Sequence, residues 1–222
     1  MPSTPVAGAG RPTRDAAERL SARIIEAAHA EFLAKGIEGA SIEGIAAAAG
    51  CSKLTLYRRF GSRAGLFMAL VRASTPDYSE RFKVNVSEQP EKVLYCLGQG
   101  IAAFFFKQNN LKFIRMVVAE MSRVEGLAEL MRDEGARFRE PVRACLEELK
   151  RRGTGKFEDS TLAAIQFINL CVLGHYYLLA GYTEDQVSPE QQEKLVRSAV
   201  ALFVAIHFPG AEGRTEPGSG PG

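Results

Sequence analysis

Histidine is scarce in this chain: only His29, His175 and His207 occur in 222 residues, and they lie far apart. No Ser/His/Asp or Cys/His set stands at a telling spacing, and no metal-ligand motif is present. An enzyme in a helical body is left without a nucleophile or base to name, and no cofactor or metal is expected. The four cysteines, Cys51, Cys96, Cys145 and Cys171, are too few and too scattered for a disulfide framework or a zinc finger. Such usage suits a reducing compartment. Also missing is an apolar leader between Met1 and Asp15, which argues against export. Sustained β alternation between hairpin turns is absent too. The expectation is a cytoplasmic, all-α protein. With 46% hydrophobic and 24% charged residues, the chain can bury a core without staples.

Acidic residues are absent from one telling stretch. After Glu43 the next acid is Asp77, and Lys53, Arg58, Arg59, Arg63 and Arg72 stand between them unopposed. From Met1 to Arg72 ten bases face six acids, whereas the remainder of the chain carries 18 bases and 20 acids. Positive charge concentrated on one small segment suits a polyanionic partner. A solvated basic face is the plainer alternative.

Both ends read as tails. Residues 1–14 form an N-terminal arm rich in Pro, Gly, Ala and Thr, and residues 209–222 form a Gly/Pro-rich tail. Neither offers enough apolar burial to offset its ordering entropy. Between them helical periodicity dominates. Leu20, Ile24, Ala28 and Phe32 recur at spacings of four, and Gly36 is placed as a left-handed C-cap. Ser41 begins a short second helix, Ser52 caps a third from Lys53 to Phe60, and Ser62 caps a fourth from Arg63. Longer helices follow over roughly 90–108, 110–123, 126–152, 160–182 and 189–208. The stretch 160–183 lacks charge and has membrane-spanning length. Gln166, Asn169 and His175 are costly in lipid, however, and its flanks lack a basic cluster. It reads as a helix buried in a large protein or an oligomer, with no membrane partner.

Two short helices joined by the turn Gly50-Cys51-Ser52 form a helix-turn-helix, whose second helix can enter the DNA major groove. Its N-terminus, like that at Ser62-Arg63, is a natural phosphate seat. The string SIEGIAAAAGCSKLTLYRRFGSRAGLF from Ser41 to Phe67 resembles the DNA-binding signature of the TetR/AcrR family of bacterial transcriptional regulators. Residues 113–207 resemble the C-terminal sensing domain of AefR-like members, most clearly at Ile114 to Glu120. The resemblance implies a helix-turn-helix DNA-binding domain over 15–62, with effector-binding and dimerisation helices over 63–208. It implies that Ser41, Ser52, Tyr57 and Arg63 hold phosphates while Lys53, Leu54, Thr55 and Arg58 face the groove. Arg58 is the candidate reader of a guanine edge, and Leu54 favours a thymine methyl. Arg11 and Arg14 could reach the duplex from the arm. Tyr57 and Leu56 could instead be core, and Arg59 is read as a solvated or phosphate-side charge. Cys51 is read as a small buried hydrophobe rather than a redox switch.

Aromatic and sulfur side chains fill the middle of the chain, among them Phe104, Phe105, Met116, Met121, Phe138, Phe167 and Tyr177. Core packing accounts for most such residues. The resemblance implies a pocket among them for a small, largely apolar effector. Asn169 and His175, polar groups on an otherwise apolar helix, need partners that a ligand or a backbone carbonyl could supply. Leu195, Ala199, Leu202, Phe203 and Ile206 form a stripe that resembles the family's dimer element, a four-helix bundle. The implied activity is that of a homodimeric repressor on double-stranded palindromic operator DNA, released when an effector tilts the fourth helix. A basic-headed protein-interaction module, or an activator or other regulator without an effector, stays open.

Overall fold

The computed structural model describes residues 14–75, 77–107, 109–172, 180–181 and 186–209, and among these there is helix and no strand. They form two compact units that divide between Ser74 and Thr75. The boundary expected at residue 62 therefore lies inside the first unit. The fourth helix packs on the first, as shown below.

In the first unit α1 spans Arg14–Gly39, α2 Ile42–Ala48, α3 Lys53–Phe60 and α4 Arg63–Ala73. Ile24, Ala28 and Phe32 recur every fourth residue on α1 and are fully buried, one stripe of a 3.6-residue period. Gly36 interrupts that helix with φ 70° and ψ 176°, so it is a break rather than the expected left-handed cap, and Ile37 is tucked inward beyond it. Leu66, Phe67, Leu70 and Val71 are the buried face of α4. The Phe67 ring meets Phe32 edge-on at 5.6 Å, the favoured aromatic geometry.

A glycine lets α3 and α4 come close together. A Cβ added to Gly65 would lie 2.0 Å from the Phe60 carbonyl oxygen. Only a residue without a side chain lets the first turn of α4 sit this near the end of α3.

In the second unit α5 spans Tyr78–Arg81, α6 Pro90–Phe105, α7 Asn110–Glu120, α8 Leu127–Arg151, α9 Ser160–Val172 and α10 Pro189–His207. The one-turn α5, capped by Asp77 through the Ser79 amide, is an element that apolar periodicity does not reveal. Helices α6, α9 and α10 share a core with α8, built on Leu94, Leu97, Val142, Phe167, Val196 and Phe203. A Cβ on Gly98 would come within 2.8 Å of Val196 Cγ1 and 3.1 Å of Cys171 Sγ, so α6 runs tight against both α9 and α10. Helix α10 opens with a capping box between Ser188 and Gln191.

Two apolar helices divide their faces within one chain. Helix α9 is not enclosed all round within one chain: Ala164, Phe167 and Cys171 are fully buried, while Leu162 and Ile165 are exposed, as are Gln166 and Asn169. The dimer stripe on α10 divides the same way. Ala199 and Phe203 lie in the chain's own core and Leu195 is half-buried against it, whereas Leu202 and Ile206 are 52% and 69% exposed. Spacings of three and four mark both faces of an amphipathic helix equally well when each is apolar. Among the described residues, no helix is long and apolar enough to cross a membrane.

Candidate nucleic-acid interface

Three serines set the geometry of the helix-turn-helix. Ser41 Oγ accepts from the Gly44 amide at 3.0 Å, Ser52 Oγ from the Thr55 amide at 3.1 Å, and Ser62 Oγ from the Gly65 amide at 2.9 Å. Each satisfies one donor of a helix start and leaves neighbouring amides to face outward. Gly50, at φ 66°, makes the left-handed step of the turn between α2 and α3. Arg23 on α1 donates to the Ala49 carbonyl at 3.2 Å and closes the C-terminal end of α2.

Helix α3 has one face fixed and one face free. Leu56 is fully buried. Arg59, expected as a solvated or phosphate-side charge, reaches back to donate to Ser21 Oγ on α1 at 2.7 Å and so ties the two helices. On the opposite arc Lys53, Leu54, Tyr57 and Arg58 are exposed, Leu54 by 77% and Tyr57 by 36%. At 100° per residue these four positions span less than half the helix circumference, a single outward face. Thr55 sits on its flank, half-buried, with its hydroxyl 2.9 Å from Ser52 Oγ.

Much of the basic stretch is opposed once the chain folds. Lys53 pairs with Glu43 of α2. The hydrogen bond to Glu43 raises the Lys53 pKa, and the same bond lowers that of Glu43. Arg63 donates to the Glu38 carbonyl at 2.8 Å and approaches its carboxylate at 3.5 Å. Helices α1 and α2 bring these acids alongside, which separation in sequence conceals. Arg58 keeps its charge uncommitted among the described residues. The Lys53 pair is exposed, so it is weak and exchangeable for a phosphate.

The other predicted residues are more dispersed. Phe104, Phe105 and Phe138 pack on one another, with ring centroids 5.3–5.6 Å apart. Phe167 belongs to a different part of the core, edge-on to Phe203 at 5.0 Å. Met116 is half-buried on α7, and Met121 borders a shallow depression with Arg123, Glu125 and Arg132. Asn169 points outward and donates to the Ile165 carbonyl at 2.8 Å, which supplies its partner without a ligand. His175, Tyr177 and Arg11 lie outside the described residues. Cys51 is half-buried rather than buried, and all four cysteines are free. Among the described residues no three metal-ligating side chains cluster.

Comparison with known proteins settles what this arrangement belongs to. Residues 24–70 match the family model of bacterial regulatory proteins of the tetR family. Residues 92–207 match that of the AefR-like transcriptional repressor, C-terminal domain. The chain belongs to the TetR family of transcriptional regulators. A TetR-family transcriptional regulator from Mesorhizobium loti is 25% identical, with a TM-score of 0.79 over 88% of this chain and 99% of its own. The flavonoid-responsive regulator FrrA is 26% identical, with a TM-score of 0.69 over 87% and 100%. A TetR transcriptional regulator from Agrobacterium tumefaciens, at 23% identity and a TM-score of 0.70 over 87% and 96%, shares the fold. No curated protein matches the chain. TetR-family proteins are DNA-binding regulators that act as dimers, and the helix-turn-helix of α2 and α3 lies within the matched segment 24–70.

Proposed function

We propose that this TetR-family protein is a ligand-responsive repressor that binds a palindromic operator as a homodimer and is released by a small, largely apolar effector. The observation that carries the reading is the α3 face: Arg58 is uncommitted among the described residues, Lys53 is only surface-paired, and Leu54 is exposed beside them. In this reading Ser41, Ser52, Tyr57 and Arg63 contact phosphates, while Lys53, Leu54, Thr55 and Arg58 face the groove. Phosphate contacts fix orientation and base-edge contacts carry the sequence. Leu54 suits the thymine methyl, the apolar group that the major groove presents. Response to a flavonoid, stated for the relative FrrA, supports an apolar effector in the second unit. Cytoplasmic residence follows from a DNA partner.

Selection of duplexes from the protein's own upstream DNA, repeated with candidate effectors, tests this reading. Two inverted half-sites about 34 Å apart, or a multiple of that, are expected, and an effector should lower affinity. A single unrepeated site contradicts dimeric reading of the operator. Affinity that no effector changes contradicts sensing. The ligand can shift the equilibrium only by its differential affinity for the two states.

Arg58→Ala should weaken operator binding by about 1–3 kcal/mol and relax preference at one base pair. Fluorescence anisotropy against operator variants measures it. An equal loss on every sequence would move Arg58 to the phosphates.

A further inference from the structure

One carboxylate in the second unit is placed where a carboxylate does not belong. The Glu134 side chain on α8 is 10% exposed. Its Oε1 accepts from Arg137 Nη1 at 3.0 Å, but among the described residues its buried Oε2 has no hydrogen-bond partner. One helical turn further along α8, Phe138 stands in a group of rings. Tyr78 and Phe82 meet it edge-on at 5.0 and 5.1 Å, and Phe105 does so at 5.6 Å. Phe104 tilts against it at 5.3 Å. Glu134 and Phe138, four residues apart on α8, share one face of that helix and are both buried; the Tyr78 hydroxyl is pushed up to about 12, first by burial and next by the Glu134 charge. Phe104 and Phe105, at the end of α6, are only half-buried and form the outer side of the group.

A buried acceptor without a donor is costly, and the phenylalanine rings of the group offer none. Native chains keep such groups rarely, and a ligand is one thing that satisfies them. We propose that Glu134 Oε2 and the rings of Tyr78, Phe104, Phe105 and Phe138 form a ligand subsite for a planar apolar molecule carrying a neutral hydroxyl donor. The rings take the apolar body edge-on or face-on, and Oε2 takes the hydroxyl hydrogen. Arg137 already balances the carboxylate charge at Oε1, so a neutral donor fits better than a cation. This assignment rests on the sensing role proposed above and names the chemistry of its effector.

The test uses the full chain and a matched set of probes in calorimetric titration: 2-naphthol, its methyl ether 2-methoxynaphthalene, and the ammonium compound 1-naphthylmethylamine. The wild type should bind 2-naphthol saturably and about tenfold or more tighter than the ether, which has the same rings and no donor. Glu134→Leu should erase that difference while leaving the ligand-free Tm no lower, since an unsatisfied buried oxygen is removed. Equal binding of naphthol and ether by the wild type overturns the assignment, and so does absence of saturable naphthol binding. A preference that survives Glu134→Leu overturns it as well, as does tighter binding of the ammonium probe. The wild-type comparison decides the matter even if the variant does not fold. Naphthol binding that discriminates as described yet leaves operator affinity unchanged would keep the subsite and remove the sensing role.

Discussion

Gly65→Ala is expected to destabilise the DNA-binding unit and weaken operator binding, although alanine is the better helix former. In an open helix the exchange stabilises by about 1 kcal/mol, because glycine has more conformational freedom to lose. Here the added Cβ would stand 2.0 Å from the Phe60 carbonyl oxygen. That atom is backbone, so no side-chain rotation relieves the contact, and α4 must withdraw from the end of α3. Overpacking of this kind costs about 1–3 kcal/mol and occasionally more. The net sign is destabilising, and a fall in Tm of roughly 5 °C is expected. Withdrawal of α4 also disturbs Phe67 against Phe32, which holds α4 on α1. Gly44→Ala is the control: its Cβ would meet Ser41 at 3.4 Å, an ordinary contact. Calorimetry on the two variants decides. Equal and small effects would mean that α4 has room to move.

The second large effect concerns pairing. Leu202→Asp with Ile206→Asp should convert the proposed homodimer to a monomer at micromolar concentration. The two side chains are 52% and 69% exposed in a single chain, and Leu162 and Ile165 are exposed on α9. A two-fold axis presents each of them twice. Full burial of such a side chain gives about 1.5–3 kcal/mol, and about half of that remains to be gained. Four copies then contribute about 4 kcal/mol, roughly a thousandfold in the dimer constant. Unpaired carboxylates in the interface add to the loss. Sedimentation velocity reports the mass directly, and operator affinity should fall with it because two heads no longer act together. A variant that stays dimeric would show that another surface makes the pair. Ala199→Asp is not an equivalent test, because Ala199 is in the core and its replacement would damage the fold.

How far the sequence reveals this molecule differs between its parts. The helix-turn-helix is legible because its signals are local. Ser41, Ser52 and Ser62 each act three residues from where they stand, and the Gly50 turn needs only its own backbone. The state of the charges is not local. Lys53 finds Glu43 ten residues back, and Arg59 finds Ser21 38 residues back. A count of unopposed bases therefore overstates the free charge on α3 and misses that Arg58 is the uncommitted one. The two faces of α10 illustrate a different limit. Apolar periodicity identifies a buried stripe, but Phe203 and Leu202 are neighbours in sequence and part ways only when the chain's own core claims one of them. Glu134 carries no local signal at all. On a helix with many acids it reads as one more solvated charge, and only burial distinguishes it.

The central claim is that the α3 face binds duplex DNA from a symmetric pair. Fluorescence anisotropy of the full chain on a duplex from its own upstream DNA, taken between 50 and 200 mM salt, tests it most directly. Lys53, Arg58 and Arg63 from two heads place about six cations on the duplex, so the account predicts two chains per site and an affinity that falls about a thousandfold across that range. Absence of binding at the lowest salt, or affinity that salt leaves unchanged, would contradict it.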